Sequence, residues 1–172
     1  MFISKLLAAL AVSLVLLVTP AAVDAPRYGL GTPVRESDLS AWNIDVSPDG
    51  EGLPNGRGGV IEGERLFSVK CAACHGAQTS VPLWGRGPLT QGETIGNFWP
   101  YATTIFDFIR RAMPKSEPQS LTPRETYALT AYILWENGIV QRNAVMDKYA
   151  LPTIRMPNRN GFILKDPRPD VP

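Results

Sequence analysis

Cys71-Ala72-Ala73-Cys74-His75 is the stretch on which the reading of this sequence turns. The spacing C-x-x-C-H is the attachment signature for a c-type haem. Each residue type has a chemical task there. The two thiols add to the two porphyrin vinyl groups and become thioethers. The imidazole that follows reaches the iron from one face. The two small residues between the cysteines let the backbone turn so that both sulfurs meet the same ring edge. Cys71 and Cys74 are the only cysteines in the chain and His75 is the only histidine. All the scarce ligand-type residues therefore lie within five positions.

Other uses of the pentapeptide fit less well. A thioredoxin-like dithiol needs a βαβ context, whereas this motif closes a helical stretch and precedes a Gly-rich loop. A structural zinc site needs four ligands, and two Cys with one His leave it short. A disulfide between Cys71 and Cys74 would close a very small loop and stabilise little. The expectation is one covalently bound haem c per chain, with His75 as the proximal iron ligand.

Outside the motif, the 172 residues suffice for one domain with extensions. Seventeen Lys and Arg balance sixteen Asp and Glu, which argues against nucleic acid or an acidic membrane as the main partner. Sixteen Pro and fifteen Gly imply long irregular segments. Met1 to Lys5 is a short positively charged start, Leu6 to Val18 is an apolar run, and Pro20 to Ala25 offers small residues for cleavage. This pattern reads as a secretory signal peptide over residues 1–25, cut after Ala25 or Ala21. An uncleaved anchor is the alternative, and the apolar run is shorter than the ~20 residues a spanning helix needs. Export implies the periplasm, with a membrane involved only if the segment is retained.

Residues 26–59 form an arm without helical or strand period, rich in turn signals such as Ser47-Pro48-Asp49-Gly50. Trp42, Ile44, Val46 and Leu53 within it argue for order rather than a free linker. The first helix is expected over Val60–Cys74, with Gly63 inside it. A mid-helix glycine costs about 1 kcal/mol relative to Ala, and close approach of another helix is the usual reason to keep one. Gly76–Phe98 reads as loop. It holds Pro82 and Pro88, either of whose carbonyls could accept the second N–H of His75 and fix its ring. A second helix is expected over Pro100–Ala112, with Tyr101, Ile105, Phe108 and Ile109 on one face. A third is expected over Leu121–Asn137. Thr122 is its N-cap, Pro123 its first residue, Glu125 completes a capping box, and Gly138 follows its end. Residues 139–172 form a Pro-rich tail with one short helix expected around Asn143–Tyr149. Asp107, Glu125 and Glu136 read as isolated acids on solvated faces, so no catalytic constellation is expected.

Haem iron takes a ligand on each face, and a second histidine is impossible within this chain. Three methionines lie beyond the signal segment. Met113 follows a helix at a Pro-fixed turn and is the expected distal iron ligand. Met156, in Arg155-Met156-Pro157, is its competitor. Met146 reads as packing.

Together these residues resemble the class I c-type cytochromes. In that family Gly and an aromatic residue stand eight and four positions before the first haem cysteine, as Gly63 and Phe67 do here. A Leu and an aromatic residue three apart on the last helix pack against them, and Leu129 and Tyr132 match. A Met-Pro step precedes that helix, as Met113-Pro114 does. The resemblance implies an all-α fold, three main helices around one haem, over residues 60–138. A narrower resemblance rests on Trp99 to Thr104, Asp107 to Pro114, the arm around Trp42 to Pro54 and the tail around Met156 to Gly161. It is to the cytochrome c subunits of molybdenum sulfite and sulfur dehydrogenases. Some of those carry two haems, whereas this chain has one C-x-x-C-H.

The resemblance implies an electron-transfer protein rather than an enzyme. A molybdenum-containing catalytic subunit would be its donor, and a further cytochrome or an oxidase its acceptor. A free periplasmic carrier for another dehydrogenase or a terminal oxidase is a second reading. A haem sensor or peroxidase with a labile Met113 is a third.

Overall fold

The computed structural model of the protein describes residues 30–76 and 83–163. The signal segment, Pro82 and the tail from 164 onward lie outside them. The chain divides into two units, Met1–Glu36 and Ser37–Pro172, with one helical turn, Glu36–Leu39, at the division. The second unit holds a short strand β1 (Arg57–Gly59), then α1 (Val60–Lys70), α2 (Ala72–His75), α3 (Ile95–Phe98), α4 (Ala102–Ala112), α5 (Pro123–Glu136) and a strand β2 (Val145–Asp147). It is mostly helical and has the class I cytochrome c architecture. Among the described residues no helix is long and apolar enough to cross a membrane.

α5 is the central element. Its N-terminus is the capping box that the sequence predicts: Thr122 accepts from the Glu125 backbone, and Glu125 accepts in return from the Thr122 N–H at 2.8 Å. At its C-terminus Gly138 adopts φ +67°. The Gly138 N–H bonds the Trp135 carbonyl and the Ile139 N–H bonds the Leu134 carbonyl, which together satisfy two of the orphan carbonyls. Nine consecutive residues, Thr126–Leu134, are buried. A helix covered on all sides belongs inside a fold, and here α1, α4 and β1 surround it.

Two glycines let the chain approach α5 closely. A Cβ on Gly63 would lie 1.9 Å from the Ala128 carbonyl oxygen and 2.7 Å from Tyr132 Cβ. A Cβ on Gly58 would lie 2.3 Å from the Ala128 nitrogen. The expected close approach at Gly63 is therefore present, but its nearest atoms belong to Ala128 and Tyr132 rather than to the Leu129 and Tyr132 that the pattern names. Gly58, at the middle of β1, makes a second contact of the same kind.

Several expectations are corrected. The helix expected around Asn143–Tyr149 is instead β2, which pairs antiparallel with β1 in the register Arg57↔Asp147, Gly58↔Met146, Gly59↔Val145. Two of the three β1 residues are glycines, so no side-chain alternation marked it. α4 begins at Ala102 rather than Pro100, because Tyr101 is extended and bridges to Arg155 of the tail. Phe108, expected on the buried face of α4, is 46% exposed, whereas Phe106 is fully buried with its ring 4.4 Å from that of Tyr127. The arm explains the shift. It lies along the side of α4 that an amphipathic pattern assigns to water, where Asp107 accepts from the Val46 N–H at 3.2 Å and Thr103 donates to the Pro48 carbonyl at 3.4 Å. The acids on expected solvated faces are all engaged: Asp107 is buried, Glu125 pairs with Lys70 at 3.1 Å, and Glu136 accepts from the Tyr132 hydroxyl at 2.8 Å. The stretch 76–98, read as loop, includes α3, capped by Thr94.

Candidate haem site

α1 delivers the chain to Cys71, where the helix breaks rather than running on to Cys74 as the sequence suggests. Cys71 has φ −124° and ψ −33°, and its N–H still reaches the Phe67 carbonyl at 2.9 Å. α2 then forms its own turn, with the His75 N–H on the Cys71 carbonyl at 2.8 Å and the Gly76 N–H on the Ala72 carbonyl at 2.8 Å. Both thiols are free, Cys71 half-buried and Cys74 exposed. Burial pushes the Cys71 thiol above its ordinary range, with the Lys70 ammonium opposing the shift.

Phe67 anchors this end of α1. Its ring lies 5.2 Å from Tyr132 and 5.5 Å from Trp84. The Phe67–Tyr132 contact is the one the sequence pattern predicts. Nothing in a turn-rich loop marks Trp84 as the aromatic residue that packs.

The loop after the motif is held by Asn137, the C-cap of α5, which is 4% exposed. Its Oδ1 accepts from the Gly85 N–H at 3.0 Å, and its Nδ2 donates to the carbonyls of Leu83 at 3.3 Å and Ile133 at 2.8 Å. Sequence reasoning missed this residue, whose local signal was only that of a helix end before glycine. His75 Nδ1 is buried and has no hydrogen-bond partner among the described residues. The Pro88 carbonyl does not serve it and accepts instead from the Gln91 N–H at 2.9 Å. Pro82, the other carbonyl offered for this role, lies outside the described residues.

The three methionines are placed differently. Met113 is the C-cap of α4, extended at φ −120° and ψ 144°, with its N–H on the Ile109 carbonyl at 3.1 Å. The Met113–Pro114 peptide is cis. Its side chain is half-buried at the edge of the core, as are Cys71, Ala72, Leu83, Ile95 and Trp99. Met156 is 1% exposed and Met146 4% exposed, both enclosed by protein. Met156 borders a cleft of about 600 Å³ between Arg86 and Asn158, whose lining includes neither Cys71, Cys74 nor His75. Met113 is thus the least enclosed of the three.

These residues fit a covalently held haem. Two free thiols stand at the required spacing on one turn, and the imidazole beside them has a buried nitrogen unmatched by the surrounding packing. Leaving such an atom unsatisfied is costly. Among the described residues no three of His, Cys, Asp and Glu are grouped so as to hold a metal ion, so a conventional zinc cluster lacks its donors here.

Known proteins supply the context. The family described as cytochrome c oxidase, cbb3-type, subunit III matches residues 59–133. Thiosulfate dehydrogenase of Allochromatium vinosum is 25% identical over 134 residues, taking in 67% of this chain. The match spans 44% of that protein's length, less than half of it. A chain in the crystal structure of the sulfane dehydrogenase SoxCD from Paracoccus pantotrophus aligns with a TM-score of 0.75 and 38% identity. That alignment covers 81% of this chain and 73% of the other.

Proposed function

We propose, from the premise that the chain belongs to the class I c-type cytochromes and serves electron transfer, that it is the electron-accepting partner of a periplasmic sulfur-compound dehydrogenase. Cys71 and Cys74 would hold one haem through thioethers, His75 would ligate its iron from one face and Met113 from the other. When bound, that group supplies a one-electron ferric–ferrous couple whose potential a methionine ligand raises. With His75 and Met113 both committed to the iron, the bound group would offer substrate no open coordination site. Its own residues therefore orient and bury the cofactor and present it to a donor. Sulfite oxidation releases two electrons, so a single-haem chain must be reduced and reoxidised twice, or two copies must serve, for each substrate molecule. A molybdenum-bearing catalytic chain suits a two-electron donor of this kind.

One observation carries the reading. The 38% identity with the SoxCD chain extends over 81% of this chain, far more than residues 60–138 alone can supply. A likeness confined to a general cytochrome domain would stop at the helices. The decisive experiment mixes purified oxidised cytochrome with sulfite or thiosulfate, with and without the candidate catalytic subunit. Rapid reduction only when that subunit is present supports the proposal. No reduction by any sulfur substrate, together with efficient reduction by an unrelated dehydrogenase, contradicts it. A second reading, service to a terminal oxidase, is favoured by the cbb3-type family match. It predicts fast reoxidation by such an oxidase whatever the donor.

A further inference from the structure

Asp107 is the buried acid that electron transfer does not use, and it lies six positions before Met113, the C-cap of the same helix. Only 10% of its side chain is exposed. Its Oδ1 accepts from the Val46 N–H at 3.2 Å, and its Oδ2 pairs with Arg111 one turn further on. Arg111 extends its other amino group to Asp45 at 2.5 Å, and Arg110 donates to the Ile44 carbonyl at 3.3 Å. With Thr103 on the Pro48 carbonyl at 3.4 Å, the segment 44–48 runs antiparallel along α4 and concentrates its contacts on the last two turns. The last carbonyls of any helix lack partners within it, and α4 has no capping glycine of the kind that Gly138 gives α5.

We propose that Asp107, with Arg111, is a positioning residue for Met113, clamping the end of α4 to the arm so that the thioether stays seated on the iron. The inference rests on Met113 being the distal ligand. A ligand works only while its supporting shell holds it within about 0.5 Å of the productive place. The exposed Asp45–Arg111 pair contributes little by itself, because Asp45 is 72% exposed. The buried Asp107 carries the effect, since its removal leaves the Val46 N–H without its acceptor and the Arg111 charge with only the exposed Asp45.

The test is imidazole titration of the oxidised full-length holoprotein, in which imidazole competes with the sulfur for the iron. Asp107→Ala should bind imidazole about tenfold more tightly than the wild type. Asp107→Asn, which keeps an acceptor for Val46, should fall between, and Asp45→Asn should match the wild type. Glu125→Ala removes the cap of α5 and serves as the stability control. It should lower the denaturation midpoint without changing imidazole affinity. Wild-type affinity in Asp107→Ala overturns the proposal. So does an equal gain in Glu125→Ala, which would make the effect one of general instability. If Asp107→Ala does not fold, Asp107→Asn and Arg111→Gln decide, and unchanged affinity in both overturns it. Failure of the underlying reading looks different: Met113→Ala would then bind imidazole no better than the wild type, and the proposal would fall with the ligand assignment.

Discussion

Met113 carries the most specific assignment given to any side chain here. A thioether favours ferrous iron, so Met113→Ala should open the iron, lower the reduction potential and abolish the weak near-infrared sulfur-to-iron band of the oxidised protein. Met156→Ala should leave that band intact and instead cost about 2–5 kcal/mol, because Met156 is packed at 1% exposure. The opposite pattern in spectra of the two variants would transfer the ligand to the tail. Tyr127 gives a prediction of another kind. It is fully buried and donates to the Pro54 carbonyl at 2.9 Å. Burial first, and then the charge of Asp147, push its phenol up to about 12. The folded value lies above the unfolded one of about 10, so this stabilisation is whole below pH 10 and is lost as pH rises through the folded value. Tyr127→Phe should therefore cost roughly 1–3 kcal/mol at neutral pH, by orphaning the Pro54 carbonyl, and should flatten the alkaline limb of the stability curve. An unchanged alkaline limb in denaturation experiments would contradict the burial argument. Legibility at this scale followed range. The C-x-x-C-H motif was legible because it fits in five residues, and the turn that ends α4 at Met113 because a proline stands beside it. Asp107 and Asn137 were not, because their partners Val46 and Gly85 lie 61 and 52 positions away.

Helices and strands divide by the same rule. The limits of α5 were legible because Thr122, Pro123, Glu125 and Gly138 act within a turn of where they stand. The break at Cys71 and the small sheet were not, since β1 is three residues with two glycines and gains its order only from β2 and α5. The crossing of α1 and α5 was legible at Gly63 and Phe67, whereas the approach of β1 to α5 at Gly58 has no signal of its own. Gly63→Ala tests that crossing. Alanine would gain about 1 kcal/mol of helix propensity. Its Cβ would nevertheless stand 1.9 Å from backbone of α5, so one helix must move, and overpacking of this kind costs about 1–3 kcal/mol. Denaturant titration should find the variant less stable than the wild type. A variant more stable than the wild type would show that α1 can withdraw at no cost.

Over the whole molecule, the arm and tail carry two sets of apolar residues. Val46, Leu53, Leu151, Ile154 and Met156 pack on the core, so these extensions help to build the fold. Others, among them Trp42 at 81%, Phe162 at 54% and Ile163 at 87% exposure, remain largely uncovered. The pattern of turns and apolar residues showed that the arm was ordered. It did not show which face of α4 the arm would cover, because that choice is made by hydrogen bonds between distant backbone groups. Underneath all of this lies one claim, that Cys71 and Cys74 hold a single haem covalently. The mass of the mature chain, taken after denaturation and acid–acetone extraction, tests it most directly. The account predicts the mass of the polypeptide plus one haem, with Cys71→Ala or Cys74→Ala leaving at most one thioether. A chain that emerges with no haem, or with two, contradicts it.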